Sequence, residues 1–321
     1  MSFHGLRLHR YSVRLVFERG LDVPAQGRGV LFRGAFGDEF RRLACHDVSL
    51  DCKACMLAPS CPYPAVFRPE LTMPDVPIVR MREPPRPFVL SDPLPESPAL
   101  PARVPVSLAL TVVGNAHRLI PHFAATLRRL GEVGMGWERA RFRVASIHAV
   151  DAGDVPRDEV WQEGGSVVRP VGIPLTVEDL ARPGDAEAKR IRVRYRTATL
   201  LRADGVAQER PSFGVLLRRL LDRMSALSVF YGEGPGDVDV DAIARRADAV
   251  ETVVAEFHRA KWKRTSARTG QRHPVEGVIG EAVYEGEGLG ELMPLLRLGE
   301  VLHVGKYASF GNGKIEVQVL G

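Results

Sequence analysis

The stretch GEVLHVGKYASFGNGKIEVQV, residues 299–319, organises the interpretation of the whole chain. It passes from an apolar turn at His303 through a glycine-rich loop into an alternating segment, Lys314 to Val319. Alternation of apolar and polar residues is typical of a half-buried β-strand. The stretch therefore predicts a loop that leads directly into a strand.

The glycine-rich loop has a composition that suits contact with a polyanion. Its glycines allow positive φ and a close approach of another backbone; they are Gly305, Gly311 and Gly313. Lys306 and Ser309 lie between them and offer a cation and a hydroxyl. A tight connection would explain the glycines equally well, so the function of the loop depends on the rest of the chain.

Length and composition describe a folded protein of two ordinary domains. The chain has 321 residues, of which 45% are hydrophobic and 26% charged. Its net charge is +5, mostly from arginine, which pairs with phosphate and stacks on bases. No apolar run is long enough for a membrane span, and the N-terminus lacks a signal-peptide pattern. We therefore expect a cytoplasmic protein that binds nucleic acid and no membrane.

The hydrophobic pattern divides the chain into two halves joined by residues 151–188, which predict a linker with a peripheral strand. For residues 1–150 it predicts strand, strand, helix, strand, helix and strand: Leu6–Glu18, Val30–Phe32, Gly34–Ala44, Val104–Val113, Ala116–Leu130 and Arg141–Val150. For residues 189–321 it predicts a strand, two helices, a strand, a helix and the final strand: Ile191–Leu201, Ser212–Val229, Val240–Phe257, Val278–Tyr284, Leu289–Leu296 and Lys314–Val319.

The two halves share a short sequence as well as an element order. Leu130-Gly131-Glu132-Val133 and Leu298-Gly299-Glu300-Val301 each precede glycines and a strand. The repeat predicts an α+β fold of two tandem ferredoxin-like (RRM-like) domains. Each would be an antiparallel sheet with helices on one face and the second would end in the glycine-rich loop.

All four cysteines of the chain lie within seventeen residues: Cys45, Cys52, Cys55 and Cys61. Cys52 and Cys55 have the spacing of a zinc knuckle, and the other two are near enough in sequence to complete a tetrahedron. Structural zinc is the preferred interpretation because cytoplasmic cysteines seldom form disulfides. An iron–sulfur cluster, a Cys52/Cys55 redox pair and four incidental thiols remain alternatives.

Four segments, in order, resemble the RAMP-superfamily endoribonucleases that process CRISPR precursor RNA. The tail that begins at Leu295, LLRLGEVLHVGKYASFGNGKIEV, is similar to the glycine-rich motif of that family. Arg33 to Phe67 resembles its cysteine-bearing branch, which is associated mostly with type III systems. PSFGVLLRRLLDRMSAL, from Pro211, resembles a helix of the C-terminal domain, and WKRTSARTGQRHPVEGVIGEAVYEG, from Trp262, resembles the strand pair before the loop.

The resemblance implies a positively charged cleft that binds CRISPR repeat RNA and cuts it without a catalytic metal. The 2′-hydroxyl would attack the adjacent phosphate, leaving a 2′,3′-cyclic phosphate and a 5′-hydroxyl. Such a reaction needs a base, an acid and cations. His46, directly after the predicted first helix, is the preferred candidate, with Tyr63 as a helper. His303 is a further catalytic candidate, although its apolar neighbours Leu302 and Val304 favour a structural role.

The basic residues of the second half are candidates for RNA contact in the fold that the resemblance implies. The loop supplies Lys306, Ser309, Gly311 and Gly313. The segment around Trp262 supplies Lys261, Lys263, Arg264, Arg268 and Arg272, and the clearest helix supplies Arg218, Arg219 and Arg223. A solvated basic surface is the alternative for the segment around Trp262.

Two other functions remain open from the sequence. One is a non-catalytic RAMP subunit that binds guide RNA within an interference complex, with type III subunits as partners. The other is a zinc-stabilised module that docks a protein partner through the cysteine cluster. The sequence has no acidic cluster of a two-metal nuclease, no Walker loop and no GxSxG elbow, so these enzyme classes are disfavoured.

Overall fold

The structure is a computed structural model that describes residues 3, 5–23, 25–73, 84–92, 97–234, 236–265 and 272–320. The helices in these ranges are α1 Ala25–Ala44, α2 Pro62–Phe67, α3 Ile120–Val133, α4 Phe213–Tyr231, α5 Val240–Asp248 and α6 Met293–Leu302. The strands are β1 Leu8–Phe17, β2 Phe88–Ser91, β3 Pro105–Val113, β4 Phe142–Val150, β5 Pro156–Gln162, β6 Arg190–Thr199, β7 Arg202–Ala203, β8 Val206–Ala207, β9 Glu251–Thr265, β10 Arg272–Glu285 and β11 Ile315–Leu320. No helix within the described ranges is long and apolar enough to cross a membrane.

The first sheet has the order β2-β3-β1-β4-β5, and each neighbouring pair is antiparallel. Its first four strands with α1 and α3 follow the chain as β-α-β-β-α-β, which is the ferredoxin-like arrangement. Alternate residues of β1, among them Val13, Leu15 and Phe17, are fully buried. They form one core with Phe36 of α1 and Phe123 of α3, so both helices cover one face of the sheet.

The second sheet has the order β11-β6-β10-β9, again antiparallel throughout. With α4 between β6 and β9 and α6 between β10 and β11, it repeats the topology of the first half. Ile191 and Val193 of β6 pack with Leu216 and Leu220 of α4 and with Leu296 of α6. The prediction of two tandem ferredoxin-like domains is thereby confirmed.

Helix α1 is longer than the sequence predicted. It begins at Ala25, so Val30–Phe32 is helical and the strand predicted there is wrong. Residues 24–29, with Gly27 and Gly29, have the composition of a turn, but Phe32, Phe36 and Phe40 recur every four residues and are buried to 1% exposure or less. Tertiary burial of this stripe outweighs the low helix propensity of glycine. Leu43, which follows this stripe at helical spacing, is 49% exposed.

The predicted helix Val240–Phe257 is correct only to Asp248. Strand β9 begins at Glu251 and continues through the basic segment to Thr265, because β-branched Thr252, Val253 and Val254 pair well with the long strand β10. Between residues 151 and 188, β5 pairs with β4 and extends the first sheet. The domain boundaries at 150 and 188 stay a prediction.

Candidate nucleic-acid interface and active site

The glycine-rich loop docks the two halves onto each other. Gly311 has a φ of 79°, and a Cβ added to it would lie 2.7 Å from the Leu90 carbonyl oxygen of the first sheet. A Cβ on Gly313 would lie 1.8 Å from the carbonyl oxygen of Val304. Ser309 is only 8% exposed. The predicted RNA contacts of Ser309, Gly311 and Gly313 are therefore wrong, since these residues are packed inside the loop; the predicted close backbone approach is confirmed.

His303 is fully buried and bridges the halves. Its Nδ1 donates to the carbonyl oxygen of Asn312 at 3.0 Å, so its Nε2 accepts the hydroxyl hydrogen of Ser91, also at 3.0 Å. Burial, followed by the charge of Lys314, lowers the pKa of His303 to about 3. A neutral, enclosed imidazole has no access to a substrate, so the prediction of a catalytic His303 is wrong.

Lys306 is the part of the loop that faces solvent. It is exposed, and its Nζ lies 5.0 Å from the centre of the Tyr307 ring. Tyr307 has a φ of 69°, a left-handed conformation that turns the chain at this point. Of the four loop residues predicted to contact RNA, Lys306 has an exposed side chain and the other three are buried.

A cleft of about 820 Å³ opens beside the loop between the halves. We call it the basic cleft because four arginines, against two carboxylates, line it: Arg33, Arg42, Arg86 and Arg139. Aromatic rings also line it: Tyr63, Trp137, Trp262 and Phe310. The Arg33 guanidinium stacks 4.2 Å from the centre of the Phe310 ring. Cations interleaved with aromatic rings suit an unpaired nucleic-acid strand.

Trp137 and Arg139 are interface residues that the sequence interpretation missed. Trp137 is fully exposed on the turn after α3, and Arg139 follows it with a φ of 46°. The sequence did indicate that Trp137 is exposed. It lies between Gly136 of the turn and two charged residues, so the local pattern does not predict its burial. The sequence could not indicate that this turn meets the same cleft as α1.

His46 and Tyr63 lie around one smaller pocket, of about 230 Å³, which we call the thiol pocket. His46 is exposed just after α1, as predicted. Tyr63, on α2, also lines the basic cleft and stacks on Phe67 at 5.1 Å between ring centres. Burial raises the pKa of Tyr63, so its phenol stays a hydrogen-bond donor at neutral pH. The Arg41 guanidinium lies 5.8 Å from the centre of the Tyr63 ring. The structure thus places a histidine and a phenol on the lining of one pocket, with a cation beside the phenol.

All four cysteines line the thiol pocket. Burial raises the pKa of Cys61, and its three neighbouring cysteines raise that pKa further. Cys45 Sγ donates to the Asp47 carbonyl oxygen at 3.0 Å, and Cys61 Sγ lies 4.0 Å from the Ala44 carbonyl oxygen. In these side-chain conformations, no three His, Cys, Asp or Glu residues of the described ranges are grouped to hold a metal.

The arginines predicted on α4 differ in their environments. Arg223 is buried and its Nε donates to the Leu302 carbonyl oxygen at 3.0 Å, while burial lowers its pKa to about 10. Its predicted RNA contact is therefore wrong. Arg218 pairs with Asp248, and Arg219 pairs with Asp222 at 3.0 Å; both are partly exposed.

Among the residues predicted around Trp262, Lys261 is exposed on β9. Arg268 lies outside the described residues, as do the side chains of Lys263, Arg264 and Arg272. The Trp262 side chain itself reaches the basic cleft, which places this part of β9 beside α1.

Two family profiles match the chain. One, "AF_1859_N: N-terminal domain", matches residues 6–172, and the other, "CRISPR-associated endoribonuclease Cas6", matches residues 193–315. An uncharacterised protein of Archaeoglobus fulgidus is 26% identical over 327 residues, which cover 99% of this chain and 100% of that protein.

Solved structures agree on the fold. Thermus thermophilus Cas6 has a TM-score of 0.52 at 16% identity and covers 98% of this chain and 99% of its own. A chain in a partial Cas6-RT-Cas1–Cas2 complex has a TM-score of 0.57 at 10% identity, covering 99% of this chain and 47% of its own. At identities of 16% and 10%, these similarities show only that the fold is shared.

The tandem ferredoxin-like halves with their glycine-rich loop define the class of the fold. The first profile spans more than half of the 321 residues, and the second covers most of the rest. The chain belongs to the family of the AF_1859 N-terminal domain, and its residues 193–315 match the profile of the CRISPR-associated endoribonuclease Cas6. Its role lies in CRISPR RNA processing.

Proposed function

We propose that the protein is a CRISPR repeat-specific endoribonuclease that matures precursor RNA without a catalytic metal. The observation that carries the proposal is that exposed His46 and Tyr63 line one pocket and that Tyr63 also lines the basic cleft. The cleft has the cations and rings to hold an unpaired strand. Histidine has an ordinary pKa near neutrality and so suits acid–base catalysis at working pH.

The reaction is an internal transesterification. A base takes the proton of the 2′-hydroxyl, whose oxygen attacks the adjacent phosphorus while the bond to the 5′-oxygen breaks. An acid returns a proton to that oxygen, leaving a 2′,3′-cyclic phosphate and a 5′-hydroxyl. His46 supplies one of the two proton transfers, and the Tyr63 phenol donates a hydrogen bond to the phosphate. Arg41 offers positive charge beside Tyr63.

The test is cleavage of the cognate repeat RNA in EDTA, with His46→Ala compared against wild type. We expect cleavage without metal and a loss of about 100-fold or more in the variant, as removal of an acid–base group predicts. His258→Ala is the matched control, because His258 is also exposed but lies on β9 and lines neither pocket. It should cleave like wild type.

Two results would contradict this mechanism. Cleavage that requires Mg²⁺ would exclude the metal-independent reaction, and a fully active His46→Ala would remove the assignment of His46. Tight repeat binding by wild type without a cyclic-phosphate product would instead favour the non-catalytic subunit. In that case subunits of a type III interference complex would be the partners to test by co-purification.

The exposed apolar side chains of the cysteine segment favour a second candidate function, the protein-docking module. Val48, Met56 and Leu57 are 51%, 95% and 55% exposed. Capture of a partner that survives ribonuclease treatment, and that is lost with Met56→Asp, would support it. The two functions are compatible, because Met56 lies in the same segment as His46 but does not line the thiol pocket.

A further inference from the structure

The segment between α1 and α2 has almost no apolar core. From His46 to Ser60, all described, the buried side chains are Cys52 and Ala58 alone. Its regular structure consists of two single 3₁₀ turns, Cys52–Ala54 and Ala58–Ser60. So few buried groups cannot offset the conformational entropy lost when such a segment is ordered. Small units of this kind usually depend on a disulfide or a metal.

Hydrogen bonds within the segment are mostly local. Asp47 accepts from the backbone and hydroxyl of Ser49, and Asp51 accepts from the backbone of Lys53. Arg41 of α1 donates to the Leu50 carbonyl oxygen at 2.8 Å and ties the segment to the helix. Exposed hydrogen bonds of this sort contribute little net stability. The segment and its two flanking cysteines do place four thiol side chains around one pocket.

We propose that the four cysteine thiols bind one Zn²⁺ that holds this segment in place. Cys52 and Cys55 lie on either end of one 3₁₀ turn, with the Cys55 amide donating to the Cys52 carbonyl oxygen at 3.3 Å, a compact knuckle. Cys45 follows α1 and Cys61 precedes α2, and all four line the thiol pocket. The four side chains share this pocket of about 230 Å³, and binding requires them to turn their sulfurs toward one point, because no three of the described ligand residues are grouped for a metal as they stand. Four thiolates form a closed tetrahedral structural site.

The zinc would also position the candidate catalytic groups, a consequence that rests on the proposed nuclease function. Cys45 directly precedes His46, and Cys61 lies two residues before Tyr63. Fixing both cysteines therefore fixes the backbone that carries both groups, although neither cysteine touches the substrate. Loss of the metal should lower the cleavage rate more than the affinity for repeat RNA, because the basic cleft lies outside the segment.

The primary test is the metal content of the purified full-length protein, measured by elemental mass spectrometry. We expect one zinc per chain and loss of that zinc in the double variant Cys52→Ser/Cys55→Ser. Limited proteolysis should cut residues 46–60 at least tenfold faster in the double variant. Met56→Ala is the matched control, since Met56 is 95% exposed in the same segment and has no thiol; its zinc content and proteolysis should equal those of wild type.

Absence of stoichiometric zinc, stoichiometric iron in its place, or full zinc content in the double variant would overturn the site. A double variant that loses zinc yet cleaves at the wild-type rate would overturn the positioning role. Failure of the nuclease proposal gives a different pattern, because wild type would then hold zinc, resist proteolysis and cleave nothing.

Discussion

At the scale of single residues, two histidines show how environment decides role. His46 lies exposed after a helix, whereas His303 is enclosed between two hydrogen-bond partners from different halves. Enclosure holds His303 neutral, because burial penalises the charged imidazolium, and the bond to the Asn312 carbonyl oxygen fixes the Nδ1–H tautomer. The neutral imidazole is therefore a structural link between the domains.

His303 predicts a loss of stability in acid. The pKa of His303 is about 3 in the folded chain and 6.5 in the unfolded chain. Below pH 6.5 the unfolded chain therefore binds a proton at this histidine while the folded chain does not, which favours unfolding. The free energy of unfolding should fall by up to about 1.4 kcal/mol per pH unit from this group between pH 6.5 and about 3. His9, whose pKa burial and His117 lower to about 4, adds to the fall.

Urea unfolding at pH 7.5, 6 and 5 measures this effect. His303→Gln should be less stable than wild type at pH 7.5 but should lose less stability on acidification. Equal stability of wild type at all three pH values, or an unchanged slope in the variant, would contradict the role given to His303.

At the scale of elements, α1 connects every part of the site. It lines the basic cleft, ends two residues before His46 and touches the glycine-rich loop at Gly29. A Cβ on Gly29 would lie 2.5 Å from the Phe310 carbonyl oxygen, whereas nothing lies within 4 Å of one on Gly34. A side chain at position 29 would therefore clash with the glycine-rich loop, whereas one at position 34 would meet no other atom.

This difference predicts opposite effects of the same substitution. Gly34→Ala should raise the free energy of unfolding by up to about 1 kcal/mol, because alanine favours the helix. Gly29→Ala should lower it by about 1–3 kcal/mol, since the methyl group forces the loop away. Urea unfolding of both variants is the measurement, and the Gly34 variant serves as the control. A stabilising Gly29→Ala would show that the loop does not need this close approach.

At the scale of the whole molecule, the halves are joined by polar contacts as well as by packing. Tyr231 of α4 donates to the Pro85 carbonyl oxygen of the first half at 2.8 Å. A Cβ on Gly114, after β3, would lie 1.8 Å from the Tyr231 carbonyl oxygen. These contacts join α4 of the second half to the first half.

Trp137 predicts where an unpaired RNA base stacks in the basic cleft. Trp137→Ala should weaken binding of repeat RNA by about 1–3 kcal/mol, the usual contribution of one stacked base. A filter-binding titration at constant salt measures it. Val167→Ala is the control, since Val167 is also exposed, at 69%, and does not line the cleft. Equal affinity of the Trp137 variant and wild type would exclude stacking at this position.

The sequence by itself determined the two halves and their ferredoxin-like class, the loop glycines and the position of His46 after a helix, but not strands β2 and β9. These features depend on local periodicity and on backbone conformations that only glycine adopts readily, both of which the sequence records. It misplaced the start of α1 and the end of α5, where packing of Phe32 and pairing of β9 outweigh local propensity.

Only the tertiary structure decided which polar residues are exposed and so able to contact a ligand. Arg223, Ser309 and His303 have the chemistry of an RNA-binding site, yet contacts with Leu302, loop backbone and Ser91 enclose them. Trp137, conversely, becomes part of the cleft because a distant turn meets α1. Burial depends on partners far away in the chain, and no local pattern encodes them.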